Sequence, residues 1–559
     1  MTEHGRTPTP TDTLAEEYVA TLTRLSPISA TEMGLPGDET ALDDFSPAGL
    51  RAQAEAAQEV LTALEGVQPT DEVDRITQLA MRERLGLELE LDEAGENLGQ
   101  LNVIASPLQF IREVFDMMPT ETEEHWSNIA ARMHAVPEAI EGYVQSLRLG
   151  ARRGHVPARR QVEAGIAEAE GLASADSFFV SLAEGARVQE GAPPQPLAQA
   201  LHDGARAAAQ GYGHLARVLA ELVDQAPEED AVGRERYERF SRLFLGAEVD
   251  LDETYEWGLE QVEAIAAEQQ AVAERISGPG ATIAQAMADL DADPDRILHG
   301  TDGLQKWMQA TAEEAISALD GEHFQIPEPV HRFECRIAPT HSGGIYYTPP
   351  SDDFSRPGRM WWSVPEGVTE FTTWREKTTV YHEGVPGHHL QTGQAAYQSR
   401  SLNTWRRMAC WVSGHGEGWA LYAERLMQDL GFLGDDGDLM GMLDSQRLRA
   451  ARVVVDIGVH LRKPCPQRWG GGIWNAQKAW DFLNAHVSME PEFLQFELNR
   501  YLGWPGQAPS YKVGQRLWEQ LRDRARERAG ADFDLAEFHR RALNVGSVGL
   551  DTLSAALDR

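Results

Sequence analysis

The sequence predicts a large, mainly α fold with a small β element set just before one chemically distinctive helix. Three observations carry this. Apolar residues recur at helical spacing along most of the 559-residue chain. Between about Pro327 and Pro365 the texture shifts to aromatics, Gly and Pro. No repeat of fixed period and no low-complexity tract interrupts the pattern.

Composition narrows the class. Hydrophobic residues make up 42% of the chain, enough for a substantial core and too many for a disordered protein. No apolar run approaches ~18 residues, so no membrane span is expected. Three cysteines, Cys335, Cys410 and Cys465, are too few for a disulfide scaffold and lack the spacing of a thiolate zinc site. The first residues show no basic start followed by an apolar block, so a reducing cytoplasm is the expected location. A net charge of −38, from 88 acidic and 50 basic residues, repels polyanions on average and excludes nucleic acid as an expected partner.

Taken in order, segments 12–26, 46–65, 71–92, 122–150 and 196–224 read as helices. In the next one Tyr255, Leu259, Val262 and Ala266 form one apolar stripe. Asp252 is its expected N-cap, with Glu253 and Glu256 placing negative charge where the helix dipole favours it. Short strands are expected at 331–337, 344–348 and 359–363, broken by turn residues. Further on, the helical stretch ending at Val459-His460 carries Asp456 and His460 four apart on one face. Pro464, Pro466 and three consecutive glycines then forbid helix in 461–474. A last long helix is expected over 515–530. The chain divides into a helical N-terminal lobe, 1–326, and a catalytic lobe, 327–559, in one continuous fold.

The chemistry lies in the segment TTVYHEGVPGHHLQ, 378–391. A helical H-E-x-x-H places two imidazoles on one face, because four residues rotate by about 400°. Here His382 is followed four residues later by Pro386, and the next histidines are His388 and His389. Six residues rotate by about 600°, which would turn His388 away. Pro386 cannot donate a hydrogen bond and Gly387 tolerates unusual backbone angles, so a bulge absorbing two residues would restore His388 to the metal face. His389 is the alternative: seven residues return to the same face, about 10.5 Å along the axis.

Zinc requires a third protein ligand and keeps one position open for water. The segment SGHGEGWALYAERL, 413–426, offers Glu417, with His415 as a rival. The flanking Gly416 and Gly418 permit close backbone approach, which favours Glu417. Glu424, seven residues on, is then a supporting partner or an ordinary helix carboxylate. One zinc per chain, held by His382, His388 and Glu417, is the expected cofactor.

At these residues the chain resembles a known family. His382-Glu383-Gly384-Val385-Pro386-Gly387-His388-His389, followed by Glu417-Gly418-Trp419-Ala420-Leu421-Tyr422-Ala423-Glu424, is similar to the signature of the domain of unknown function 885 family. That family is itself similar to helical zinc peptidases of the gluzincin type. The resemblance covers nearly the whole chain. It includes Pro27 to Gly34, Asp43-Asp44-Phe45-Ser46, and Val136-Pro137 to Val156-Pro157. It continues through Gly344-Ile345-Tyr346-Tyr347, Arg356-Pro357-Gly358, Pro505-Gly506-Gln507, Tyr511 to Gly514, and Phe533 to Leu543. It implies a helical zinc-peptidase-like fold with a deep cleft. The stretch 461–474 departs from the family pattern, as does Gly549, which stands where Pro is expected. Many relatives are exported.

The expected reaction is hydrolysis of an amide in a peptide or small-molecule substrate. Glu383 is the expected general base and Tyr511, in a Gly/Pro-rich approach that reads as an exposed loop, the donor to the oxyanion. Lys512, Arg500 and His460 are candidates to bind a substrate carboxylate or to support the oxyanion. Tyr346 and Tyr347 lie on a strand whose edge could pair with an extended peptide, their side chains on opposite faces. The alternatives are an amidase or dipeptidase for a specialised metabolite, and a metal-stabilised helical binding protein without turnover. Glu383 beside His382 disfavours the last, since a structural metal site needs no base.

Overall fold

The computed structural model of the protein describes residues 6–189, 191–338 and 344–558. Twenty-two α-helices and five short strands lie among the described residues. Helices appear where the apolar periodicity places them, including Pro10–Leu25, Pro47–Glu65, Glu72–Glu93, Glu123–Arg153 and Gln195–Leu222. Their starts have chemical causes. Thr9 and Asp12 close a reciprocal capping box, and the Thr122 hydroxyl accepts from the His125 amide. The helix Leu251–Ser277 is capped by Asp250, not by Asp252. Asp250 accepts from two free amides, while Asp252 lies in the first turn and pairs with Arg234 and Lys463.

The apolar faces converge on two cores. One fills the space between helices Glu123–Arg153 and Gln195–Leu222, with Met133, Ile140, Tyr212 and Leu215 fully buried. The larger runs from Ala15 to Leu557 and spans both sides of residue 326. Its centre is the helix Asp436–His460, buried along most of its length.

The three strands expected before the motif are Phe333–Ile337, Ile345–Thr348 and Gly358–Trp362. The third is central: it runs parallel to the first and antiparallel to the second. Ile345–Thr348 is therefore an edge strand. Gln305 and Gln309 of the helix Gly300–Leu319 bond the backbone of Phe333 and Cys335, seating the sheet. A further antiparallel pair, Ile297–His299 with Glu370–Thr372, is not anticipated by the sequence reading. Residue 343, at the start of the expected edge strand, lies outside the described residues. The departure at 461–474 folds as a glycine turn whose Trp474 indole donates to the Tyr255 hydroxyl at 2.7 Å and whose Trp469 ring packs on Phe482.

Candidate active site

The segment 378–391 is two helices rather than one bulged helix. Thr373–Glu383 ends at the motif glutamate and His388–Tyr397 begins at the second histidine. Four residues, Gly384 to Gly387, turn the chain between them through a cis Val385–Pro386 bond. A Cβ on Gly387 would lie 1.9 Å from the His382 carbonyl oxygen, so only glycine lets the turn fold back this tightly. The Trp419 indole donates to the Pro386 carbonyl at 2.8 Å and pins the turn to the following helix, Ser413–Asp429.

The turn brings the rings of His382 and His388 to 4.9 Å, nearly perpendicular. Glu417 rises from the second turn of Ser413–Asp429. Its Oε2 lies 3.3 Å from His382 Nε2 and 3.5 Å from His388 Nε2. The three ligand atoms all lie within 4.8 Å of one another. His389 points elsewhere: its ring bonds the Val330 carbonyl at 2.7 Å and Tyr347 at 3.0 Å, and burial pushes it down to about 4. His415 is also turned away, bonding Gln391 and packing on Trp518.

Glu424 stands behind His382. Its Oε1 is 2.7 Å from His382 Nδ1, and its Oε2 accepts from the Thr378 hydroxyl at 2.8 Å. This contact fixes the proton on Nδ1 and leaves the Nε2 lone pair facing Glu417. Two electron-rich atoms then meet, and a cation between them resolves the repulsion. A second proton on Nε2 would meet the same demand for positive charge. Burial opposes a charged His382, but Glu417 and Glu424 outweigh it and raise the ring to about 10. Burial likewise pushes the Glu417 carboxyl up, yet His388 and His382 hold it well below the usual range. The donor set of two imidazoles and one carboxylate fits a catalytic metal that keeps an open position.

Glu383 is buried and makes no hydrogen bond among the described residues. Burial raises its carboxyl, partly offset by His388 and His382. Tyr511 lies in the first turn of the helix Ser510–Ala529, not in an exposed loop. Burial and then the charge of Glu417 raise its phenol, which places it within electrostatic reach of the metal ligands. Arg500 Nη2 lies 3.5 Å from its hydroxyl and Arg452 sits 5.0 Å from its ring centroid. Both arginines are held by Glu497.

The helix bearing Tyr511 is aimed by glycines. A Cβ on Gly514 would lie 2.4 Å from the Gly414 carbonyl oxygen and 2.9 Å from the Gly418 Cα. The two helices touch backbone to backbone, one turn from Tyr511 and beside Glu417.

Two expected substrate contacts lie apart from this cluster. Lys512 is buried and donates to Gln446 and Gln515 at 2.7 and 3.0 Å, where it borders a different pocket with Glu268, Arg425 and Glu519. Successive helix residues point about 100° apart, so Tyr511 and Lys512 do not share a face. His460 has no exposed surface; its ring bonds the Tyr501 carbonyl at 2.9 Å and packs near Tyr237. Tyr346 and Tyr347 do alternate. Tyr346 is exposed against Trp361, and the Tyr347 ring lies 6.3 Å from that of His388. Trp411, 53% exposed, stands 6.2 Å from the His388 ring on another side. Thr378, Ser445, Arg449 and Arg452 were not anticipated. Thr378 shares a face with His382, and the other three are polar residues at helical spacing on an apolar helix.

Residues 27–557 match the family model "Bacterial protein of unknown function (DUF885)". The chain belongs to this family. A solved structure of a "putative lipoprotein" from Colwellia psychrerythraea is 22% identical, with a TM-score of 0.86 over 98% of both chains. Another, a "putative lipoprotein of unknown function" from Shewanella oneidensis, is 15% identical over 99% of this chain and all of that one, with a TM-score of 0.73. At these identities the likeness is one of fold. A carboxypeptidase from Pyrococcus furiosus, 12% identical over 99% of this chain and 96% of that one, reaches a TM-score of only 0.40 and carries no argument. No match is found among curated proteins. The lipoprotein descriptions overturn the cytoplasmic location expected from the first residues. No helix among the described residues is long and apolar enough to cross a membrane.

Proposed function

We propose that this DUF885 protein is a zinc-dependent hydrolase of amide bonds, with a peptide as substrate. The observation that carries the reading is Glu383, a buried carboxylate with no hydrogen bond among the described residues, next in the chain to His382 of a His-His-Glu set. A binding protein that merely uses metal for stability has no use for it.

His382, His388 and Glu417 would hold the ion, with Glu424 orienting His382. Bound zinc supplies a Lewis acid that lowers the pKa of water toward neutrality. Glu383 takes the proton of the attacking water and later delivers it to the leaving amine. A raised carboxyl suits both tasks. The Tyr511 hydroxyl donates to the carbonyl oxygen as negative charge develops there, steadied by Arg500 and Arg452. The free edge of Ile345–Thr348, with Tyr347 near His388, supports an extended peptide over a compact metabolite amide.

Incubating the zinc-loaded protein with a mixed library of peptides and N-acyl amino acids, read by mass spectrometry, tests this. Cleavage of peptides that requires zinc and Glu383 is expected. Cleavage of acyl amino acids alone would move the reading to a metabolite amidase, and no cleavage at all would remove it.

A further inference from the structure

The central helix Asp436–His460 is apolar on most sides, with Val453, Val454, Val455 and Ile457 buried. Among its polar residues four fall in one narrow stripe: Ser445, Arg449, Arg452 and Asp456. Steps of four, three and four keep these within an arc of about 60°. Burying such a stripe is costly unless every group is matched. Two of the four, Ser445 and Arg452, are matched. The Ser445 hydroxyl reaches Glu424 at 3.5 Å, behind His382. Arg452 bonds Tyr501 and Glu497 and lies over the Tyr511 ring. Asp456 accepts from Tyr237 and Gly506 through Oδ1 alone, and its buried Oδ2 has no partner among the described residues.

Arg449 is the cation of the stripe that has no ion pair among the described residues, whereas Arg452 pairs with Glu497. Its Nη1 donates to the Ser445 hydroxyl at 2.6 Å and approaches the Ser445 carbonyl at 3.4 Å. Its Nε is buried and has no hydrogen-bond partner. Among the described residues Nη2 makes no hydrogen bond and no carboxylate lies within 4.0 Å of the guanidinium. The unpaired edge, Nε with Nη2, is the one that grips a carboxylate in a two-pronged contact. Along the axis Arg449 stands about 6 Å from Ser445, on the side of His382, and about 4.5 Å from Arg452, on the side of Tyr511. Its charge also reaches Glu383 and Glu424. An arginine between the metal ligands and the oxyanion donor, with its fork open, lacks an anion.

We propose that Arg449 binds the free C-terminal carboxylate of the substrate, so that the protein removes residues from the C-terminal end of peptides rather than cutting interior bonds. This rests on the hydrolase reading above. A two-pronged charged contact predicts a preference of roughly 10- to 100-fold for a carboxylate over its uncharged amide.

The test uses one synthetic pentapeptide library in two forms, with C-terminal carboxylates or with C-terminal carboxamides. Binding is measured by native mass spectrometry on the full-length, zinc-loaded Glu383→Gln protein, and turnover on the parent. The acid form should bind and be cleaved preferentially, with fragments of one or two residues released from the C-terminus. Arg449→Gln should erase the preference by weakening the acid form and leaving the amide form unchanged. Arg449→Lys, which keeps the charge but not the fork, should retain part of it. Equal or absent binding of the two forms by the zinc-loaded Glu383→Gln protein overturns the proposal. So does an equal loss on both forms in the two Arg449 variants, which would mark a structural role beside Ser445. Acid-selective binding without turnover of either form would instead defeat the hydrolase reading and leave the anchor standing.

Discussion

At the scale of single residues, the site turns on which groups lack a partner inside the protein. Glu383 has no hydrogen-bond partner among the described residues, whereas Glu424 is bonded by His382 and Thr378. The two carboxylates should therefore answer differently to substitution. Glu383→Gln is nearly isosteric and keeps the metal, but it cannot accept a proton. Turnover should fall by roughly 100- to 10,000-fold with metal content unchanged, measured by steady-state kinetics and elemental analysis on the same sample. Near-parental turnover would assign water activation to another group. Glu424→Ala should do the reverse. Metal affinity should drop by roughly 10- to 100-fold as His382 loses its orienting partner, and turnover should recover at saturating zinc. Competition against a zinc chelator gives the affinity, and an unchanged value would make Glu424 a bystander.

At the scale of elements, two joints matter. One is the four-residue turn that separates the motif helices. The other is the glycine contact between Ser413–Asp429 and Ser510–Ala529. Glu417 and Tyr511 sit on opposite sides of this second joint, so its spacing sets their distance. Gly514→Ala inserts a methyl 2.4 Å from a backbone oxygen, and neither backbone can move alone. The helices should separate, at a cost of about 1–3 kcal/mol in stability. If Tyr511 donates to the oxyanion, kcat should fall in Gly514→Ala while KM changes little, as it should by roughly 100- to 1,000-fold in Tyr511→Phe. Kinetics of the two variants and of their combination would show the coupling. Full activity in Tyr511→Phe would take the phenol out of the mechanism. The turn between the motif helices shows what local chemistry reveals. Pro386 and Gly387 announce an interruption, but a bulge and a clean break satisfy the same residues, and the anchoring indole of Trp419 decides between them.

At the scale of the whole molecule, Asp456 ties three distant segments together. It accepts from the Tyr237 hydroxyl at 2.6 Å and the Gly506 amide at 2.9 Å. Burial pushes its carboxyl up to about 7, against the pull of those two bonds and Arg500. An unfolded chain would release this proton near pH 4. The native state thus holds an extra proton between about pH 4 and about pH 7. Its stabilising contribution is complete below that window and is lost as pH rises through it, at no more than about 1.4 kcal/mol per pH unit. Asp456→Asn keeps the acceptor and removes the titration. Denaturant midpoints for parent and variant should diverge across the window, the parent losing stability relative to the variant as pH rises. Parallel curves would remove Asp456 from the pH dependence.

What the sequence alone determined follows from local geometry. Helical periodicity depends on neighbours three and four residues away, so the helices and the three strands before the motif were legible, although the cap of Leu251–Ser277 was placed on Asp252 instead of Asp250. So was the pair His382 and His388, whose spacing about a turn is a short-range property, whereas Glu417, 35 residues from His382, was a Gly-flanked candidate that packing set beside them. The tertiary structure decided which faces meet. His382 and Glu424 are 42 residues apart in the chain, and only packing brings them to 2.7 Å. The same packing turned Lys512 and His460 away from the cluster, although the sequence offered both as substrate contacts. It also left Arg449 with an open fork in the middle of a buried stripe. Spacing tells which residues share a face; the neighbour that face will have depends on contacts hundreds of residues distant, which no local rule contains.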